Sequence, residues 1–288
     1  MTSYVYLNGG FLPTTDAKIS VCDGGWLHGA GLFETMLAEN GRIFRLESHV
    51  NRLMRSAARL LTPVQRDDLP SRVDFLELLE RNELKVARVR MTVSAGSMRA
   101  DAEPEVRSLT VCVTASPLSP PSPTAYETGV QVVICKFRQS PSDPLAGHKT
   151  TAYLSRLVSL RAAQEARCAE ALWFTTANRL AEGSISNVFV VHKGVLKTPP
   201  LDTPVLPGIA RGVVLALADE AGIQTDQCPL TIDDLLDADE VLLTNAIMQV
   251  LPVIRVERRD IGDGRVGSVA KRILEAYRRL VRKECGGE

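Results

Sequence analysis

Apolar residues along this chain recur with two periods, and a change of period marks where one element gives way to the next. Tyr4-Val5-Tyr6-Leu7 and Ile43-Phe44-Arg45-Leu46 read as strands. Over residues 47–60 the spacing becomes helical, with Val50, Leu53, Met54 and Ala57 on one buried face. Strand patterns return at 89–95 and 109–114, so the first part of the chain reads as a small α+β domain. Ser116-Pro117-Leu118-Ser119-Pro120-Pro121-Ser122-Pro123 then places four prolines in eight residues, which can continue neither a helix nor a central strand. Residues 1–115 are therefore one expected domain, 116–128 a linker, and 129–288 a larger domain. In the latter, strands at 130–134, 171–174, 188–191 and 240–243 alternate with helices at 154–166, 208–221 and 269–283.

Composition narrows the function without naming it. A chain of 288 residues with 45% hydrophobic residues can fill two cores. Lys+Arg 34 balances Asp+Glu 34, leaving no net field to gather nucleic acid or an anionic membrane surface. No window approaches the roughly 18 apolar residues of a membrane span, and the amino terminus lacks a basic start followed by an apolar stretch, so a cytoplasmic protein acting on small molecules is expected. Cys22, Cys112, Cys135, Cys168, Cys228 and Cys285 form no Cys-x-x-Cys pair, which argues against a zinc site or a disulfide framework; no metal is expected.

The chemistry lies in two short runs. Gly147-His148-Lys149-Thr150-Thr151-Ala152-Tyr153 supplies an amine, and Glu182-Gly183-Ser184-Ile185-Ser186-Asn187 supplies a carboxylate. Pyridoxal phosphate needs this combination: an amine to condense with its aldehyde, and a carboxylate beside its pyridine nitrogen to keep the ring protonated. Neither run decides alone, since a lysine before two threonines is mostly a surface loop and Glu-Gly before small polar residues is mostly a turn.

Three further runs join them. They are Asp23-Gly24-Gly25-Trp26-Leu27-His28-Gly29-Ala30-Gly31-Leu32-Phe33-Glu34-Thr35-Met36 with His49-Val50-Asn51-Arg52-Leu53; Thr198-Pro199-Pro200 with Val205-Leu206-Pro207-Gly208-Ile209-Ala210-Arg211-Gly212; and Thr244-Asn245-Ala246-Ile247-Met248. With these the chain resembles the class IV aminotransferases, pyridoxal-phosphate enzymes of fold type IV. The resemblance implies a two-domain α+β protein whose larger carboxy-terminal domain is an α/β pseudo-barrel, acting as a homodimer on an amino donor and a 2-oxo acid acceptor.

It also implies roles. Lys149 would hold the cofactor and move the substrate's α-proton, Glu182 would hold the pyridine proton, and Tyr153 would bond the phenolic oxygen, with Ser186 and Asn187 alongside. Arg52 would grip the phosphate, a task suited to a guanidinium fork. Backbone amides of Gly208, Ile209, Ala210, Ala246 and Ile247 would cradle it at a helix start, assisted by Thr244 or Asn245. Phe33, Arg99 and Met248 would meet the substrate, Arg99 by taking its carboxylate as in D-amino-acid aminotransferases. Ala210 and Ala246 stand where many relatives carry hydroxyls, so the phosphate would lean on amides and Arg52. Leu37 stands where branched-chain enzymes tend to be basic, and the Asn-Ala-x-Met pattern leans towards aminodeoxychorismate lyases. A transaminase moving an amino group between an amino acid, D-amino acids included, or an amine and a 2-oxo acid is the first reading, 4-amino-4-deoxychorismate lyase eliminating pyruvate to give 4-aminobenzoate the second, and a branched-chain L-amino-acid aminotransferase the third.

Overall fold

The computed structural model describes residues 3–60, 64–97 and 109–286, which form two compact units. The first comprises the described residues within 1–119, 148–153 and 281–288, and the second residues 120–147 and 154–280.

In the first unit the strands are β1 (Tyr4–Leu7), β2 (Gly10–Pro13), β3 (Gly31–Glu39), β4 (Arg42–Ile43), β5 (Ala87–Ser94) and β6 (Thr110–Pro117), and the helices α1 (Gly24–His28), α2 (Leu46–Leu60) and α3 (Arg72–Arg81). The strands form one antiparallel sheet in the order β2-β1-β6-β5-β3-β4. Leu46, Val50, Leu53 and Ala57 of α2 are buried in a core shared with Met36, Phe75, Leu78, Met91 and Val93. Burial of side chains of this size stabilises by about 1.5–3 kcal/mol each. The strand expected at Ile43–Leu46 is shorter than its apolar pattern suggests. Arg45 takes φ 55°, a left-handed turn that ends β4 at Ile43 and delivers Leu46 into the helix. The proline run is not featureless either, because β6 reaches Pro117 and the second unit opens with helix α4 (Pro123–Thr128). Pro123 sits in the first turn, where its missing N–H costs nothing, and Ser122 Oγ caps the helix by accepting from Ala125 N.

The second unit continues with β7 (Val130–Gln139), α5 (Leu154–Glu165), β8 (Glu170–Thr175), β9 (Leu180–Gly183), β10 (Asn187–His192), β11 (Val195–Thr198), α6 (Ile209–Glu220), β12 (Thr225–Gln227), α7 (Ile232–Leu236), β13 (Glu240–Asn245), β14 (Gln249–Val256), β15 (Arg259–Asp260) and α8 (Ser268–Glu284). Its sheet runs β12-β11-β10-β13-β14-β7-β8-β9, with β15 on β14. The last strand, β9, is tied to β10 by the turn 184–186, where Gly183 N donates to Ser186 O, so the sheet curls back on itself. β7 and β8 are parallel and joined across α5, which explains the strand-helix-strand alternation read from the pattern.

Two stretches that follow the proline run in the chain pack with the first unit. Residues 148–153 lie beside β3, with Leu32 and Thr150 bridged, Phe33 N donating to Lys149 O at 2.9 Å and Thr151 N to Gly31 O at 2.8 Å. Near the end of α8, Glu284 pairs with Arg45 at 2.6 Å and the buried Cys285 lies under the Arg42 carbonyl. No helix among the described residues is long and apolar enough to cross a membrane.

Candidate active site

The lysine segment can reach β3 because residue 31 is glycine. A Cβ there would stand 2.9 Å from Thr151 Oγ1 and 3.1 Å from the Val93 carbonyl, so any side chain would push the segment away. The close approach sets Lys149 Nζ 4.3 Å from the centroid of Phe33 and 5.7 Å from that of Tyr153, two rings packed edge to face at 5.3 Å. Arg90, on β5, lies over the same Phe33 ring at 3.8 Å, and its Nε donates to Thr92 Oγ1. Burial, then the neighbouring Arg88, lowers the pKa of the Arg90 guanidinium, the mark of a cation short of solvent. Arg90 was not anticipated. Its signal was the alternation in β5, where Val89, Met91 and Val93 are buried and a long cation interrupts the outer set.

Helix α2 carries a polar seam, His49, Arg52 and Ser56, along the flank of its apolar face. Glu34, in the middle of the largely buried β3, receives Arg52 Nε at 2.8 Å on Oε1 and Arg52 Nη2 at 2.5 Å on Oε2, where the His49 Nδ1–H also donates at 2.7 Å. Burial works against the Glu34 charge, but Arg52 and His49 overcome it and hold the carboxyl at about 2. Burial pushes the His49 imidazole down, which keeps it neutral despite Glu34. The fork of Arg52, expected on phosphate, therefore has two of its arms on Glu34. Ser56 Oγ bonds His148 Nδ1 at 2.8 Å, tying the lysine segment to the same helix.

In the second unit, Glu182 Oε1 accepts from Arg156 Nη2 at 2.7 Å, and Oε2 from the Leu206 amide at 2.9 Å, with Asn187 Nδ2 at 3.5 Å. Asn187 Nδ2 also donates to the Leu206 carbonyl. Glycine at position 208 lets the Asn187 side chain pack close, since a Cβ there would displace it. Gly208 caps α6 with no side-chain bond, leaving the amides of the first turn, Ile209 and Ala210 among them, open for an anion.

Ser186, Thr244 and Ile247, expected at the cofactor, each make a hydrogen bond within the protein. Ser186 Oγ donates to Glu170 Oε2 at 2.9 Å, Thr244 Oγ1 to the Gln249 carbonyl at 2.6 Å, and Ile247 N to Asn245 Oδ1 at 2.9 Å. Ala246, Ile247 and Met248 form the turn between β13 and β14, closed by Asn245, whose Nδ2 donates to the Ile185 carbonyl. Met248, expected at the substrate, packs in the core of this unit, and its carbonyl accepts from Tyr126. Glu170, unforeseen, organises the turn after Glu182 by accepting from the amides of Ala171, Ser184 and Ile185 as well as from Ser186; burial raises its pKa and these donors oppose the rise. Arg99 lies outside the described residues. No His, Cys, Asp and Glu cluster among the described residues is placed to hold a metal, and the six cysteines are free.

Residues 31–256 match the family model of the amino-transferases of class IV. A Methanocaldococcus jannaschii protein assigned as a branched-chain-amino-acid aminotransferase is 34% identical over 278 residues, covering 95% of each chain. The aminodeoxychorismate lyase of Bacillus subtilis is 30% identical over 265 residues, 90% of this chain and 88% of that one. Among solved structures, the branched-chain amino acid aminotransferase of Escherichia coli superposes with a TM-score of 0.90 at 28% identity, over 100% of this chain and 97% of the other. With the family model spanning both units and relatives aligned over nearly the whole length, this chain belongs to the class IV aminotransferases.

Proposed function

We propose that the substrates of this aminotransferase are amino acids and 2-oxo acids recognised by their carboxylate at Arg90, and that Lys149 is the residue that holds pyridoxal 5'-phosphate, the cofactor of the family. One observation carries the reading: the Lys149 amine and the Arg90 guanidinium flank a single ring, Phe33, at 4.3 and 3.8 Å from its centroid. An amine and a carboxylate-binding fork held that close match the two polar ends of an amino acid.

Bound to the enzyme, pyridoxal phosphate supplies an aldehyde that takes up the amino group and a ring that draws electrons from the α-carbon. The chain's own residues do the rest. Lys149 Nζ moves a proton at the substrate's α-carbon, while Phe33 and Tyr153 shield it from water. Glu182 holds a proton at the pyridine nitrogen. The amides of Ile209 and Ala210 at the open start of α6 hold the phosphate, with Arg52 fixed in place for it by Glu34. The Asn245 to Met248 run, the feature that leaned towards a lyase, is accounted for by turn closure and core packing, which supports keeping the transaminase reading first. A homodimer and a cytosolic setting belong to the same proposal, supported by exposed Val21, Trp26 and Leu154 and by free cysteines.

Borohydride reduction of the holoenzyme followed by peptide mapping tests Lys149, and label on any other lysine would sink the assignment. For Arg90, the KM of Arg90→Met for D-alanine or L-leucine, whichever the enzyme accepts, is expected to rise at least about tenfold. The KM for an amine lacking a carboxylate is expected to stay the same. An unchanged KM for the amino acid rules Arg90 out.

A further inference from the structure

Arg156 stands in the first turn of α5, and the proposed function gives it no task. Its guanidinium is nevertheless held on every side. Nη2 donates to Glu182 Oε1 at 2.7 Å and to Gln139 Oε1 at 2.9 Å, Nη1 donates to the Gly183 carbonyl at 3.1 Å, and the plane lies over the Trp173 ring at 4.3 Å. The side chains of Arg156 and Glu182 are only 16% and 8% exposed, so water and salt screen the pair weakly.

We infer that Arg156 is a positioning residue that acts through Glu182, and that it sets how firmly the proton on the cofactor's pyridine nitrogen is held. The inference rests on the assignment of Glu182 to that nitrogen. Two physical effects lead to it. First, Oε1 is tied to a guanidinium and Oε2 to the Leu206 amide, so the carboxylate plane cannot turn and its remaining lone pairs point in a fixed direction. Second, a carboxylate that shares its charge with a guanidinium attracts another cation less than an unpaired one does, and the guanidinium repels that cation directly. The protonated ring is such a cation.

The other titratable groups in this neighbourhood do not supply the same effect. Cys135 of β7 has its thiol pushed up by burial and is neutral near pH 7. Arg138 directs Nη1 to the carbonyls of Cys135 and Phe137. Glu170 has both oxygens committed to the turn at 184–186. A lysine at 156 could carry the charge but could not span Glu182, Gln139 and the Gly183 carbonyl at once, because it lacks the planar fork.

The test uses holoenzyme reconstituted with pyridoxal phosphate carrying 15N in its ring, with the ring-nitrogen chemical shift followed against pH. In Arg156→Gln the ring nitrogen is expected to stay protonated to higher pH, by roughly one unit or more. Arg156→Lys should move it the same way by less. Glu182→Gln should move the resonance towards the unprotonated position. A wild-type titration in both Arg156 variants, while Glu182→Gln shifts it, overturns the inference and leaves Arg156 as a clamp between α5 and the sheet. An unmoved resonance in Glu182→Gln instead overturns the assignment of Glu182 itself. Circular dichroism and urea midpoints establish folding; if Arg156→Gln does not fold, Arg156→Lys gives the decisive reading, with the wild-type titration again the overturning result.

Discussion

Each unit contains a buried carboxylate paired with an arginine, and the two pairs are built differently. Glu34 grips Arg52 with both oxygens, and the two side chains are 1% and 6% exposed. Glu182 gives its arginine one oxygen, turns the other to a backbone amide, and lies in a less sealed setting. A closed pair fixes its arginine at the cost of removing two charges from water, and leaves its carboxylate little to offer a ligand. An open pair keeps part of the carboxylate available. The difference suggests that in the first unit the acid serves the base, while in the second the base serves the acid.

The comparison breaks first if Glu34→Gln is harmless. Removing the charge takes the carboxylate partner from the buried Arg52, and a loss of about 3–5 kcal/mol in urea unfolding is expected. Glu182→Gln should show the reverse balance, with kcat lower by on the order of a hundredfold or more at nearly unchanged stability, if Glu182 has the role proposed for it at the cofactor. A stability loss matching that of Glu34→Gln would erase the distinction.

Acid sharpens the contrast. The folded-state value of Glu34 is depressed from 4.5 to about 2, so its contribution is present above 4.5 and is lost as pH falls towards 2, a change on the order of 3 kcal/mol. His49, depressed from 6.5, adds a loss in the same direction that begins as pH falls through 6.5. Urea midpoints between pH 7 and pH 3 should fall steeply for the wild type and more gently for Glu34→Gln; parallel slopes would contradict the closed pair. The smallest effect is expected of Ser186→Ala, which removes one of four donors to Glu170 and should cost about 1–2 kcal/mol with cofactor affinity little changed. A large loss of cofactor there would return Ser186 to the ligand side.

Much of this architecture was legible in the residues, because apolar period and proline punctuation are local signals. The helix at 208–221 and the strand at 240–243 are close to α6 and β13 for that reason. β3 was missed, since a strand with seven of its nine residues buried shows no alternation. α3 was missed although Ser71 and Asp74 form a capping box, a signal that was there to be used. The Lys149 and Glu182 runs stand out in the sequence by their chemistry. Their supports do not: Glu34 looks like a polar interruption of an apolar run, Glu170 like the polar start of a strand, and Arg156 like one more charge on a helix. Each has a role only through partners distant in sequence, between 14 and 26 residues away in the bonds described.

The segment that brings Lys149 to β3 also has a consequence for synthesis. A ribosome completes the six strands of the first sheet by residue 117, yet the strip at 148–153 is made only after part of the second unit, and Glu284 and Cys285 follow after nearly all of it. At ordinary elongation rates the stretch from residue 117 to residue 153 takes on the order of a few seconds. Through it the nascent first sheet carries Gly31 and Phe33 without the strand that covers them. The unit begun first is thus finished last, and the place prepared for the Lys149 segment is the portion of the newborn chain most in need of protection from unwanted partners.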